Sequence, residues 1–503
     1  MSTVPLPDEP DLAQLKTQAR ELQRRVRAGD GAALVEVALR HPDGEPPADA
    51  RPGFPLSAAQ LVLARRHGFA SWPKLVDHVR VVHELTRRPA DIKPSSDPAH
   101  ELVRLACLNY GDDQAARWDE ARTVLGRHPA LAESDLAVAA ATADVAALRA
   151  HLERDPGGAA RPTGPMAWEP ILYLAYSRIL DAASEADVVT AGTLLLDRGA
   201  DPNAGYLWRG LPSPFTALTG CFGEGELGPA RQPRHACGVA LARLLLDRGA
   251  DPNDSQTLYN RQFHDDDSHL VLLFEYGLGD GDGGPWKRRL GPALEPPAEM
   301  VRGQLRWALL HQMVDRVRLL AAHGVDLASA FPDGRTPTEV AALNGDVELL
   351  AVLDELGAPA PGLDPVDAVI AAIMAGDPTE VDRVVARDPA AVARAQAERP
   401  GLVVWAAASG RGAAVEAALD QGFGIDVLAR SDVPVEQPWE TALHVAAMAG
   451  DLDLIRLLLD RGADPTIRDG RFQGRPLEWA HHGGQLDAVA LLEPVTPADP
   501  DPG

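Results

Sequence analysis

The chain has 503 residues, of which 5% are aromatic, and a formal net charge of -25. This length exceeds what one compact hydrophobic core usually supports, about 250 to 300 residues, and the negative charge argues against extended contact with a phosphate backbone. The three cysteines, Cys107, Cys221 and Cys237, contain no Cys-x-x-Cys pair and imply no disulfide framework.

The N-terminal residues lack the basic start and apolar run of a signal peptide, and nowhere do about 18 apolar residues follow one another without interruption. We therefore expect a soluble, cytoplasmic protein without membrane segments.

Residues 1–90 predict a helical module. Four apolar residues recur at helical spacing: Leu12, Leu15, Leu22 and Val26. The opposite face of this helix carries Arg20, Arg24, Arg25 and Arg27. A solvated face paired with nearby acids is one interpretation of these arginines, and a patch that binds an anion or nucleic acid is the other. Two shorter helices complete the module, the second with Ser71 as a candidate cap before Trp72.

A Pro-rich interval from Arg88 to Pro98 is predicted to be a linker. Residues 91–160 then contain two degenerate helical pairs. Their breaks, at Gly111-Asp112 and Ala143-Asp144, lie 32 residues apart. This spacing predicts repeats of one helical hairpin each.

The motif LLLDRGADP occurs three times, at Leu194–Pro202, Leu244–Pro252 and Leu457–Pro465. The first two copies are 50 residues apart, so the repeat between them must carry an insertion. We assign this insertion to a Gly- and Pro-rich loop from Thr219 to His235. Loops of this length are uncommon in compact folds unless they have a function. Residues 161–298 are accordingly predicted to be repeats with long inserted loops.

After a further pair, at Ser255–Asn260 and Ser268–Tyr276, the stretch Gly277–Pro297 is predicted to be a loop. Residues 299–493 are more regular, since successive helix breaks from Gly345 to Gly483 are separated by 31, 34, 40 and 33 residues. The 40-residue interval predicts a second inserted loop near Arg430–Trp439. Residues 494–503 are rich in Pro and Asp and are predicted to be a disordered tail.

The clearest repeat unit runs from Glu440 to Asp469. Thr441 is a cap for a first helix, Gly450-Asp451 breaks it, and Gly462 ends the second helix without a Cβ clash. Pro465 then turns the chain.

These residues resemble the ankyrin repeat. The family pattern Thr-Pro-Leu-His-x-Ala is present as Thr441-Ala442-Leu443-His444-Val445-Ala446, with Ala442 where Pro is usual, and LLLDRGADP is similar to the family's later segment. The resemblance implies an all-α solenoid of about ten helical pairs, several of them degenerate, and a structural role for His444. Residues 1–90 resemble the helical extension attached to some bacterial ankyrin proteins.

Two segments could carry chemistry. Gly279–Gly284 matches G-x-G-x-x-G, but it follows the position of a second helix, so we interpret it as a flexible loop. His264–His269 combines imidazoles and carboxylates, which bind metal ions in other proteins. The consecutive acids are also typical of a helix start, and this is the interpretation that we favour.

Cys221, His235 and Cys237 form only one loose pair of metal ligands, with His481-His482 distant in sequence. We interpret the cysteines as buried or loop thiols. The sequence thus predicts no catalytic, cofactor-binding or metal-binding residue and no cofactor.

The function that we predict is a protein–protein interaction scaffold, monomeric, with a partner that has a basic face; nucleic acid and membrane partners are not expected. The alternatives are an enzyme with a pocket under the inserted loops, or a regulator that uses residues 1–90 to bind a second partner. The predicted contacts lie on the turns and on the first inserted loop: Asp201, Asn203, Asp251, Asn253, Asp464, Thr466, Phe222, Glu224, Glu226, Arg231 and Arg234. The turn residues have a second interpretation, because Asp and Asn also stabilise turns by bonding their own backbone.

Overall fold

The computed structural model describes residues 4–7, 9–180, 182–431 and 437–497. The chain is mostly helical. It contains two compact units, Met1–Gln304 and Leu305–Gly503.

The first unit contains helices and three short strands. In chain order these are α1 Leu12–Arg27, α2 Gly31–Arg40, α3 Leu56–Arg66, α4 Trp72–Leu85, β1 Thr86–Arg87, α5 Pro98–Ala106, α6 Ala115–Arg127, α7 Leu131–Ser134, α8 Leu136–Ala141, α9 Val145–Arg154, α10 Pro170–Tyr176, α11 Glu185–Asp197, β2 Gly205–Trp208, β3 Pro214–Thr216, α12 Ala217–Phe222, α13 Gly228–Arg231, α14 Gly238–Asp247, α15 Ser255–Arg261, α16 Ser268–Glu275 and α17 Gly284–Leu290. The boundary between the units falls within α18, Pro297–Leu310.

The second unit is built of helices in its described part. They are α19 Val314–Ala322, α20 Pro337–Leu343, α21 Val347–Glu355, α22 Pro365–Ala375, α23 Pro378–Arg387, α24 Pro389–Glu398, α25 Leu402–Ala408, α26 Gly412–Asp420, α27 Ala442–Ala449, α28 Leu452–Asp460, α29 Pro476–His482 and α30 Leu486–Leu492.

Local signals explain the N-terminal helices. Asp11 caps α1 by accepting from the backbone N–H of Ala13 at 2.6 Å. Ser71 caps α4, where its hydroxyl accepts from the N–H of Lys74 at 3.5 Å. Leu22 and Val26 of α1 pack in one core cluster with residues of α2 and α3.

The arginines of α1 make contacts within the same module. Arg24 pairs with Glu21 at 2.5 Å, and Arg25 pairs with Asp30 at 2.8 Å. Arg27 donates to the carbonyl oxygen of Phe54 at 2.9 Å. Three of the four arginines are thus engaged by groups of the chain itself.

A small sheet is the main departure from an all-helical architecture. β2 and β3 form an antiparallel hairpin with Tyr206 opposite Phe215, and β1 pairs with β2 in parallel. Both aromatic residues are buried, which suits a pleated surface covered on one face. β1 immediately precedes the interval that we predicted as a linker, and Asp91 within that interval pairs with Arg209 at 2.8 Å.

Two predicted loops need correction. Thr219 to Phe222 belong to α12, because a capping box between Thr216 and Thr219 begins a helix there. The inserted loop therefore spans residues 223–237 and contains the short helix α13. Likewise, Gly277–Pro297 is not all loop, since α17 lies within it.

The second unit has one continuous core cluster that extends from Val366 to Leu492. Its helix ends follow the predicted signals. Thr441 and His444 form a capping box at the start of α27, and Gly450 ends that helix in the left-handed conformation, with φ of 71°. The imidazole of His444 contacts the carbonyl oxygen of Gly474 at 3.1 Å and links α27 to the turn that precedes α29.

Two predictions concern residues outside the described ones. They are the second inserted loop, in which residues 432–436 are not described, and the tail, of which residues 498–503 are not described. Across the described residues, no helix is long and apolar enough to cross a membrane.

Candidate functional site

In the second unit, three successive helices present matching residues on one side. Trp405, Val445 and Trp479 each lie four residues after the helix cap, on α25, α27 and α29, and all three are half-buried. One turn further on, Ala408, Met448 and His482 are exposed. Residues three apart share a helix face, and α27 packs against both α25 and α29. The six residues therefore form one row, which we call the open row.

At two helices of the first unit, α10 and α15, the same positions are buried. Tyr173 and Tyr176 of α10, and Leu258 and Arg261 of α15, stand four and seven residues after their helix caps and are buried. Such a difference requires other parts of the chain to cover these helices.

One cover is the segment that follows α5. The ring of Tyr110 packs edge-on against Phe215, with ring centroids 4.9 Å apart, and its hydroxyl accepts from the amide of Asn260 at 3.0 Å. The indole N–H of Trp208 donates to the carbonyl oxygen of Asn109 at 2.9 Å. Burial raises the pKa of the Tyr110 hydroxyl well above its ordinary value. This half-buried tyrosine is thus held in its neutral form.

The inserted loop, residues 223–237, is the second cover. Glu224 is 2% exposed and pairs with the buried guanidinium of Arg261. Arg234 of the loop donates to Glu224 at 2.6 Å and also pairs with Asp266 at 2.6 Å. At the other end of the loop, Arg178 donates to the carbonyl oxygen of Pro233 at 2.7 Å. Charge pairs and hydrogen bonds therefore hold the loop over α15.

The turns of the first unit are bonded to one another. Asn203 donates to the carbonyl oxygen of Gly249 at 2.9 Å and accepts from the N–H of Asp251 at 2.8 Å. Asn253 repeats this arrangement in the next turn, where it accepts from the N–H of Gly279 at 2.8 Å. Helix α17 adds to the contacts, since the indole of Trp286 donates to the carbonyl oxygen of Asn203 at 3.0 Å.

The predicted contact residues thus lie in two different settings. Phe222 and Glu224 are buried, Asn203 and Asn253 bond to neighbouring turns, and Asp201 lies 3.7 Å from Arg289. Other loop residues bond within the first unit as well: Glu226 to Tyr259, Arg231 to the carbonyl oxygen of Asp113, and Arg234 to Glu224.

Asp464 and Thr466 are exposed at a turn of the second unit. The Asp464 carboxylate accepts from the N–H of Thr466 at 2.8 Å. These two residues stabilise their own turn and are also exposed. They therefore fit both interpretations, turn stabilisation and contact with a partner.

The chemically suggestive segments have structural partners. Asp282 accepts from the N–H of Gly284 at 2.9 Å, so a carboxylate of the chain already occupies the start of α17. In His264–His269, Asp266 accepts from the N–H of Ser268, the first residue of α16, at 2.8 Å, whereas the N-cap residue Asp267 makes no side-chain capping bond.

The thiols and the imidazole near the loop are poorly suited to ionic chemistry. Burial raises the pKa of Cys221 well above its ordinary value and lowers the pKa of His235 to about 3. A thiolate is the reactive form of cysteine, and burial disfavours it. Within the described part of the chain, no group of three or more His, Cys, Asp or Glu side chains could hold a metal ion.

Sequence reasoning missed the turns at the end of the second unit. There Trp439 contacts Arg430 and Arg471, with 4.8 and 4.9 Å from each guanidinium carbon to the ring centroid. Phe472 is 66% exposed beside them. The adjacent Arg471-Phe472 pair in a turn was a possible signal, but the proximity of Trp439 depends on the fold.

The repeat that carries two of the six open-row residues, Val445 and Met448, also matches a known family. A family model described as "Ankyrin repeat" matches residues 439–470, which include α27 and α28. The match covers the unit that the sequence singled out, and it supports a role in protein–protein interaction in general. Residues 439–470 are therefore similar to the ankyrin repeat.

Proposed function

We propose that the chain is a protein-binding scaffold and that its partner docks on the open row of the second unit. The observation that carries the proposal is the contrast between equivalent helix positions. They are buried under the chain's own segments in the first unit, whereas Ala408, Met448 and His482 are exposed in the second. The ankyrin repeat at residues 439–470 supports the same class of function.

The proposal extends to the organisation of the chain. Residues 1–90 serve as an N-terminal helical module, 91–160 as degenerate repeats, 161–298 as repeats with insertions, and 299–493 as the repeats that bind. Rigid display explains binding on a stacked array of helical pairs, since each repeat contacts its neighbours and the joined faces form an extended surface.

Charge indicates the chemistry of the partner. Residues 305–503 contain 15 Lys+Arg and 31 Asp+Glu, which is 15 minus 31, or -16. Electrostatic complementarity then favours a partner with a basic face. The exposed carboxylate of Asp464 belongs to this acidic surface.

The test begins with affinity purification from the native cell and identification of the retained protein. Its affinity is then measured for the wild type and for Met448→Arg, which places a long cation in the middle of the open row. We expect binding to weaken by at least tenfold, as for the loss of a central interface contact.

Val347→Arg is the matched control. Val347 is 64% exposed and is the first residue of α21. It is therefore on a different helix from the open-row residues, which stand four and seven residues after the caps of α25, α27 and α29. Its affinity should stay within about twofold of the wild type, as for most surface substitutions. Equal affinities for Met448→Arg and the wild type would remove the open row from the interface.

A further inference from the structure

An alternating stack of arginine and aromatic side chains lies at two turns of the second unit. Arg430 and Arg471 each approach the Trp439 ring, at 4.8 and 4.9 Å from its centroid, and Arg471 also lies 5.0 Å from the centroid of Phe472. We call these four residues the tip stack. Cation–π contacts hold each guanidinium at an aromatic ring.

Hydrogen bonds to the backbone fix the two turns that carry the tip stack. The side chain of Asp469 is buried and accepts from the N–H groups of Arg471 at 2.8 Å and Gly474 at 2.7 Å. It also accepts from the indole of Trp479, at 3.0 Å. The N–H of Gly470 donates to the carbonyl oxygen of Trp439 at 2.6 Å and joins the two turns. One buried carboxylate therefore sets the direction of the Arg471–Phe472 turn.

The geometry leaves hydrogen-bond donors available. A guanidinium that contacts aromatic rings keeps its planar fork of N–H groups for an oxyanion. Arg471 is exposed, and no carboxylate in the described part of the chain pairs with it. Phe472, 66% exposed, offers an apolar surface at the end of the stack.

The charge around the tip stack selects the kind of anion. Arg471 is the exposed cation of a segment in which Asp469 is buried and Arg475 pairs with Glu478 at 2.5 Å, while residues 305–503 as a whole carry -16. A long phosphate backbone would be repelled by that surrounding charge. A short segment with one or two carboxylates can reach Arg471 while placing less charge against the acidic surface.

We propose that the tip stack binds an acidic segment of a protein partner, with a carboxylate on the edge of Arg471 and an apolar side chain on Phe472. This inference rests on the proposed function and adds to it. The acidic surface of the second unit attracts the basic face of the partner, and the tip stack accepts its acidic segment. Because these two places require opposite charges, they determine the orientation of the partner.

The test uses the full chain and a fluorescein-labelled peptide of alternating glutamate and leucine, with fluorescence anisotropy as the readout. We expect salt-sensitive binding that Arg471→Gln weakens by tenfold or more, because the bidentate anion contact is lost. Phe472→Ala should weaken it severalfold. Arg456→Gln is the control, since Arg456 is exposed on α28 and pairs with Asp453 at 2.9 Å; its affinity should equal that of the wild type.

Three outcomes would overturn the inference: no binding of the acidic peptide, equal binding of the matched lysine-leucine peptide, or wild-type affinity in Arg471→Gln. Stronger binding of a single-stranded oligonucleotide than of the acidic peptide would also overturn it. Failure of the proposed function is a separate result. In that case Met448→Arg binds the purified partner as tightly as the wild type does, while the acidic peptide still binds to the tip stack.

Discussion

At the scale of single residues, His235 shows how burial controls a charge. The side chain is 3% exposed, and its Nδ1 accepts from the N–H of Cys237 at 3.0 Å. Burial, followed by the positive charge of Arg178, lowers its pKa from 6.5 to about 3. Below pH 6.5 the unfolded chain therefore binds a proton at His235, whereas the folded chain does not. The free energy of unfolding consequently decreases as the pH falls from 6.5 towards 3.

We predict that His235→Asn reduces this acid sensitivity. The Asn oxygen can replace the acceptor without titrating. Between pH 7 and pH 5 the wild type should lose about 2 kcal/mol of unfolding free energy through this one group, and the variant should lose that much less. Urea unfolding at the two pH values measures the difference.

The surface residue His481 provides the control for this experiment. His481→Asn should leave the unfolding free energy nearly unchanged at each pH value, as for most exposed surface substitutions. If His235→Asn and the wild type show the same loss between pH 7 and pH 5, the imidazole is not held neutral in the folded protein.

At the scale of elements, the inserted loop depends on the buried carboxylate of Glu224, which pairs with Arg261 and Arg234. Glu224→Ala would leave the fully buried guanidinium of Arg261 with Asp266 alone, at 3.5 Å. Removing one partner of a buried pair destabilises proteins by about 3–5 kcal/mol. We therefore expect a large loss of stability and faster proteolysis within residues 223–237.

The double variant Glu224→Gln with Arg261→Met tests the cause. It replaces the charged pair by neutral groups of similar size, and such replacement is often neutral for stability. The double variant should therefore be much more stable than Glu224→Ala. If instead the destabilising effects of Glu224→Gln alone and Arg261→Met alone add in the double variant, the two charges do not act as a pair.

Helix boundaries were predictable where the signal was local. Ser71, Thr441 and Gly450 act within four residues of their own position, so propensity and capping rules identified them. Helix α12 continues to Phe222. The predicted loop began earlier, at Thr219, because the Gly-rich composition that follows favoured a loop.

The closure of the first unit was not predictable, because it depends on contacts between distant residues. Tyr110 and Asn260 are 150 positions apart, and Trp208 and Asn109 are 99 apart. No spacing rule connects such pairs. The turn residues Asn203 and Asn253 were identified as important, but their partners, which are backbone groups of the neighbouring turns, follow only from the stacking.

At the scale of the whole molecule, the two units differ in what they leave exposed. Segments of the first unit cover its own helix faces and turns, whereas the second unit exposes the open row and the tip stack. Most of the net charge also lies in the second unit, with -16 of -25. Sequence charge therefore predicts how the partner approaches, and the exposed positions predict where it docks.

This charge leads to a prediction about salt. The screening length falls from about 10 Å at 0.1 M to about 3 Å at 1 M salt, so attraction between an acidic surface and a basic partner should weaken. We expect the association rate of the purified partner to fall by about tenfold or more over this range, with a smaller change in the dissociation rate. Stopped-flow or surface-binding kinetics measures both rates.

Two variants separate the charge of the whole surface from that of the tip stack. Asp464→Asn removes one exposed surface carboxylate and should lower mainly the association rate. Arg471→Gln removes a direct contact and should raise mainly the dissociation rate, because rim charges steer encounter whereas bonded contacts hold the complex. An association rate that stays constant from 0.1 to 1 M salt would show that the partner does not use the acidic surface. In that case the open row would bind through its apolar residues alone.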